Sequence, residues 1–216
     1  IEKENVEIVR FLLSLPNIDV NIGQKGNKSP LHLAVEKENI EIVKLLLTNQ
    51  KIDVNAYCVY EQELNDGYLE ISEKKNSLFL AVEKENIEIV KLLLSHKNID
   101  VNAQCISKHK IYSRKSNDEQ VKTKILSILH LAVVKENIEL IKLLLLNPNI
   151  DVDNKYFFKN VKLVDALWSP GEKIIEEKTK TALQLAFENK NKEIVHLFLN
   201  CKKIVYNPIF TNISNL

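Results

Sequence analysis

Residues 29–56 read SPLHLAVEKENIEIVKLLLTNQKIDVNA, and residues 76–103 read NSLFLAVEKENIEIVKLLLSHKNIDVNA. The phrase returns at 127–154 as SILHLAVVKENIELIKLLLLNPNIDVDN and at 181–208, more loosely, as TALQLAFENKNKEIVHLFLNCKKIVYNP. Its second half opens the chain at 1–22, IEKENVEIVRFLLSLPNIDVNI. One unit is therefore written five times. A period of this kind marks a stacked array, in which each unit buries its apolar surface against its neighbours.

Each copy decodes as two short helices. The first opens at Ser29, Asn76, Ser127 or Thr181, residue types whose side chains accept a backbone N–H at a helix start. Pro30 follows at the first helical position, where its missing N–H costs nothing. The second helix opens at Asn5, Asn39, Asn86, Asn137 or Asn191, again a capping residue each time. Glu41, Glu88, Glu139 and Glu193 sit in its first turn, where the helix dipole favours negative charge. Glu41 and Lys44 are spaced to pair along the helix surface. Ile40, Ile42, Val43, Leu45, Leu46 and Leu47 leave only a narrow polar stripe. Such a helix must be covered on more than one side.

These motifs, Ser29-Pro30-Leu31-His32-Leu33-Ala34, Ile42-Val43-Lys44-Leu45-Leu46-Leu47 and Asp53-Val54-Asn55-Ala56, resemble the ankyrin repeat. The resemblance implies two antiparallel helices per unit, a projecting β-hairpin finger, and protein recognition by fingers and first helices. The expected fold is all-α: a solenoid of helix-turn-helix units with hairpin fingers. It forms a single domain over 1–216, with a partial unit at 1–27 and units at 28–74, 75–125, 126–178 and 179–216. The family usually carries glycine between the two helices, where φ is positive. Glu4, Glu38, Glu85, Glu136 and Lys190 hold that place here. Either these residues accept a positive φ, at about 1 kcal/mol each, or the turn is built differently.

The whole chain has 216 residues, 45% hydrophobic and 27% charged, with a net charge of +1. This is a globular composition with no global pull toward nucleic acid or acidic lipid. No membrane-length apolar run or signal-peptide pattern is present. The lack of any methionine and the start within a unit suggest a piece of a longer protein. Cys58, Cys105 and Cys201 are an odd, sparse set, expected as reduced thiols in an intracellular, cytoplasmic or nuclear setting.

The copies differ between the VNA motif and the next first helix. Positions 19, 53, 100, 151 and 205 are equivalent, at intervals of 34, 47, 51 and 54. The last three intervals carry about 13, 17 and 20 extra residues, all in the fingers. The first insertion, 57–75, is acidic (net −3), and its Asn65-Asp66-Gly67 signals a hairpin. The second, 104–125, is basic (net +4), and its centre at 113–120 reads as mobile. The third, 154–178, holds Tyr156, Phe157, Phe158 and Trp168, with a turn signal at Ser169-Pro170-Gly171. The opposite charges either pair finger to finger, worth about 0–1 kcal/mol per exposed pair, or orient a charged partner.

Five of the six tyrosines and the only tryptophan lie in these insertions, and binding surfaces favour Tyr, Trp and Arg. The candidate partner-binding residues are Tyr57, Tyr60, Tyr68, Tyr112, Arg114, Lys115 and Trp168. Phe157 and Phe158 are assigned to packing within the fingers. His32 and His130 share one position, for which the resemblance implies a structural hydrogen bond at the first helix. Equivalent residues in adjacent units sit about 8–10 Å apart, too far for a Cys58–Cys105 disulfide. Cys105 and His109 lack the further ligands a zinc ion needs. No phosphate loop or nucleophile–base arrangement is present.

The expectation is a non-enzymatic scaffold without cofactor, monomeric, binding an unknown protein or peptide, with no membrane. A recruitment module of a larger enzyme, channel or ubiquitin-ligase adaptor is the alternative. Nucleic-acid contact through 104–125 is a weaker one. The more polar last copy is expected to cap the array, and the apolar face of the first to be exposed.

Overall fold

The computed structural model describes residues 6–23, 27–64, 69–112, 119–164 and 171–201. In chain order the helices are α1 (Val6–Ser14), α2 (Pro30–Glu36), α3 (Ile40–Leu47), α4 (Ser77–Glu83), α5 (Ile87–Leu94), α6 (Ile128–Val134), α7 (Ile138–Leu146), α8 (Ala182–Glu188) and α9 (Lys192–Leu199). The strands are β1 (Tyr57–Leu64), β2 (Leu69–Asn76), β3 (Gln104–Tyr112), β4 (Glu119–Ser127), β5 (Lys155–Val164) and β6 (Gly171–Thr181). First helices α2, α4, α6 and α8 pack in one layer, and second helices α1, α3, α5, α7 and α9 in another.

The caps sit where the sequence places them. Asn39, Asn86, Asn137 and Asn191 accept the third helical N–H at 3.0, 3.1, 3.0 and 3.2 Å. Ser29, Asn76, Ser127 and Thr181 do the same for the first helices. The turns between helices keep the left-handed conformation without glycine: φ is 54° at Glu38, 58° at Glu85, 52° at Glu136 and 56° at Lys190. Side chains repay part of that strain. Glu38 accepts from Asn86 Nδ2 at 3.0 Å, and Glu85 from Asn137 Nδ2 at 2.9 Å, each in the next unit.

Ile42, Val43, Ile89, Val90, Leu140 and Ile141 have no solvent exposure. Burial of each such side chain is worth about 1.5–3 kcal/mol, supplied between units as well as within them. Lys44 bonds Glu88 of the next unit at 2.8 Å, so the charge spaced for Glu41 serves the stack instead.

The Asp-Val-Asn phrase is a stitch. In each copy the aspartate accepts from the backbone two residues on, as Asp53 does from Asn55 at 3.0 Å. The asparagine then reaches forward. Asn55 Nδ2 donates to the Asn98 carbonyl at 2.6 Å, and its Oδ1 accepts from Asp100 N–H at 2.8 Å. Asn21 makes the same two bonds to Lys51 and Asp53, and Asn102 to Asn149 and Asp151. Asp153 holds that position in the fourth copy.

The all-α expectation needs correction: the fold is mixed. The three hairpins join into one six-stranded antiparallel sheet in chain order. Between fingers, β2 pairs β3 from Leu69↔Ile111 to Lys74↔Ile106, and β4 pairs β5 from Glu119↔Leu163 to Ile125↔Phe157. Strands lie about 4.8 Å apart, so a two-stranded finger advances about 9.6 Å. Packed helices advance about 8–10 Å. The two spacings agree, and long fingers on neighbouring units therefore meet at bonding distance.

At the ends, Ile8, Phe11 and Leu12 on α1 are exposed, as the missing first helix leads one to expect. The outer face of the last helix pair is mixed rather than polar. Lys190 and Lys192 stand beside a groove that also takes in Phe187, Val195 and Leu199.

Candidate binding surface

Alternation along the strands gives the sheet two faces. Cys58, Tyr60, Glu73, Lys75, Cys105, Ser107, Lys124, Leu126, Tyr156, Phe158, Lys178 and Lys180 share one. Ion pairs show where it looks. Lys28 bonds Glu36 at 2.8 Å and Lys75 bonds Glu83 at 2.8 Å, and Lys180 pairs Glu188. Each lysine immediately precedes a helix cap, and each glutamate ends that first helix. The pairs bridge the corner between the sheet and the first helices. This inner face and the outward side of the first helices thus form one continuous concave surface.

Lys75 is the most enclosed of these cations. Burial pushes its pKa down, but bonds to Glu73 (2.7 Å) and Glu83 outweigh this and leave it above the usual lysine range. The Tyr60 ring lies below it at 5.5 Å and below Lys28 at 4.8 Å, within cation–π range. The Tyr60 hydroxyl is buried beside the Cys58 thiol, and burial raises its pKa. Tyr57 points to the opposite face, with Lys74 Nζ 4.7 Å from its ring centre. Tyr112 ends β3 near the Lys110–Glu70 pair, which spans two fingers at 3.6 Å. The acidic and basic fingers therefore do pair. Tyr68, Arg114, Lys115 and Trp168 lie outside the described residues, as does most of the central stretch 113–120. Of the seven candidates, the structure places only Tyr60 on the inner face among those it describes.

His130 couples the two parts of the molecule, and His32 holds the same place in an earlier unit. Ser29 Oγ and Ser127 Oγ lie 2.7 Å from Nδ1 of His32 and His130. Ser29 N–H donates to His32 Nδ1 at 3.3 Å, which makes Nδ1 the acceptor and leaves the ring proton on Nε2. His130 Nε2 lies 3.0 Å from both the Lys180 carbonyl and the Tyr156 N–H, so either tautomer ties it to the last finger. Burial lowers the pKa of both rings; for His130 the Lys180 carbonyl opposes it, and for His32 backbone groups of Lys75 and Ala56 do. Cys58 and Cys105 are free and buried, and burial pushes the Cys105 thiol up to about 12. A thiol held protonated is a poor nucleophile. Among the described residues no group of three or more His, Cys, Asp or Glu is placed to hold a metal ion.

The sequence reading did not single out Leu126 and Val134, and it weighed Tyr156 and Phe158 only as finger aromatics. Leu126 stands where Lys28, Lys75 and Lys180 stand in the other units, and Val134 where Glu36, Glu83 and Glu188 stand. Tyr156 takes the place of Cys58 and Cys105, and Phe158 that of Tyr60 and Ser107. Comparing copies position by position, rather than by insertion length, reveals them.

Stacked helix pairs joined to a finger sheet define a solenoid scaffold, a class built for recognition along an extended surface. The chain belongs to the ankyrin repeat family: its repeats match over residues 1–58 and 58–156, with three copies recognised. Comparison with curated proteins gives no match. Among the described residues no helix is long and apolar enough to cross a membrane.

Proposed function

We propose that this chain is a non-catalytic, monomeric scaffold that binds a protein or peptide along the concave surface between the sheet and the first helices. One observation carries the reading. The fingers fuse into a sheet whose inner face continues into the first helices, and this is where the copies differ from one another. The inner sides of α3, α5 and α7, by contrast, are closed by their neighbours. Three free cysteines fit a reducing compartment.

The test is selection of binders from a random-peptide library on the immobilised chain, followed by NMR mapping of the bound site. Side-chain shifts are expected on the inner face of β1–β6 and on α2, α4, α6 and α8. A site confined to α3, α5 and α7 overturns the proposal.

A further inference from the structure

The unit at 126–178 breaks the pattern of the corner. Three units close it with a lysine–glutamate pair, Lys28–Glu36, Lys75–Glu83 and Lys180–Glu188. The unit at 126–178 has Leu126 and Val134 instead. Leu126 packs, half-buried, against the core, but Val134 beside it is 52% exposed. Next to it the finger changes in the same sense. Tyr156 replaces the buried thiols of Cys58 and Cys105, and its ring tilts against His130 with centroids 6.2 Å apart. Phe158 occupies the Tyr60 position, opposite Lys124 in the register. In the first finger that position lies between Lys28 and Lys75; here its equivalents are Leu126 and Lys180. Four side chains with apolar surface thus stand at neighbouring positions of the sheet and first helix in this unit.

The surroundings are charged, and asymmetrically so. Toward the N-terminus, Glu73 is already satisfied by Lys75 and by Ser107 Oγ at 3.2 Å. Toward the C-terminus, the described inner face of β4–β6 carries Lys122, Lys124, Lys178 and Lys180 with Glu176. Glu176 and Glu188 pair with Lys178 and Lys180, and Lys124 is exposed. A positive field of this kind attracts and orients an acidic chain. An apolar centre inside a charged rim is the usual anatomy of a binding hot spot.

We propose that Leu126, Val134, Tyr156 and Phe158 form the anchor point of the concave surface and receive a bulky apolar side chain from an acidic peptide segment. This rests on the scaffold reading above but can fail separately from it. The inferred partner is peptide, because the centre of the site offers apolar contact rather than phosphate-binding groups.

The decisive variant is L126K/V134E, which writes into the unit at 126–178 the pair the other three already use. Its melting temperature is expected to stay near that of the parent. A fluorescein-labelled acidic peptide with one phenylalanine, tested by anisotropy, is expected to bind the parent and to lose at least about tenfold in affinity on the variant, or roughly 1.4 kcal/mol. Replacing the peptide's phenylalanine with serine should cost as much. K124E should weaken binding and flatten its salt dependence. Undiminished binding to L126K/V134E overturns the anchor, as does a preference for basic peptides or displacement by poly-uridylate. If library-selected peptides still map to the concave surface in that case, the scaffold reading stands and only the anchor falls. If they map elsewhere, both fall.

Discussion

Helices α3 and α5 are identical letter for letter, IEIVKLLL in both, whereas the strands that follow them, YCVYEQEL and QCISKHKIY, share little beyond one cysteine. Both regions repeat in space with the same step. They differ in what holds them together. The stack is joined by side chains interlocking at close packing, so each methyl group matters. The sheet is joined by backbone hydrogen bonds, which any residue except proline can supply. Freedom of sequence therefore collects in the fingers, and the concave surface inherits it.

That contrast predicts unequal costs for equal chemistry. Leu93 on α5 has no exposure. Leu93→Ala should cost about 2–5 kcal/mol in denaturant unfolding, the range for a buried leucine. Val121→Ala on β4, a half-buried residue in the sheet, should cost under about 1.5 kcal/mol. Similar costs at the two sites would mean that the sheet is a second core rather than an accessory to the stack.

The buried histidines should make stability sensitive to acid. Burial holds the folded pKa of His32 and His130 below the unfolded value, near 6.5. Their stabilising contribution is then complete above that pH and falls as the pH drops below it. Each ring can add up to about 1.4 kcal/mol of lost stability per pH unit. The double variant H32Q/H130Q should flatten the stability profile between pH 6.5 and the onset of carboxylate titration. Glutamine is chosen because Gln184 already occupies the position and accepts Thr181 N–H at 2.8 Å. An unchanged profile would place the acid sensitivity elsewhere.

A smaller effect is expected in the loops. Asn55→Asp copies the Asp153 of the fourth copy and replaces an N–H donor facing the Asn98 carbonyl with a carboxylate. The loss of that bond at an exposed site should cost about 1 kcal/mol in thermal unfolding. Asn102→Asp should cost the same, since its bond to Asn149 at 2.8 Å is equivalent. A null result would show that the stitch fixes loop geometry without adding stability.

What could be read from the sequence was local or periodic. Helix pairs, caps, the glycine-less turns and the lengths of the fingers all lie within one copy or one interval. What stayed hidden depends on distances between copies. Nothing in YCVYEQEL or QCISKHKIY says that two fingers will bond, because the match of strand spacing to helix spacing is a property of the assembled stack. The Lys75–Glu83 corner spans eight residues, outside the helical spacings of three and four, because a cap intervenes. Tyr60 reads as a projecting aromatic, yet two lysines close over it, and one of them, Lys75, belongs to the next unit.

The turns between helices offer the finest test. Glycine at Lys190 removes a strained left-handed φ worth about 1 kcal/mol but adds about 0.5–1 kcal/mol of unfolded-chain entropy. The two nearly cancel, so Lys190→Gly should shift stability by only a few tenths of a kcal/mol, in the stabilising direction. Glu85→Gly gains the same relief but loses the Asn137 bond at 2.9 Å and the Lys135 ion pair at 3.4 Å, both contacts with the next unit. It should therefore come out below Lys190→Gly by about 0.5 kcal/mol or more, a difference readable in parallel melts. If the two variants behave alike, backbone strain alone sets the cost of the glycine-less turn. If Glu85→Gly is the worse, the acidic residue is there because it reaches the next unit, and even the turns of the stack are selected by what lies beside them.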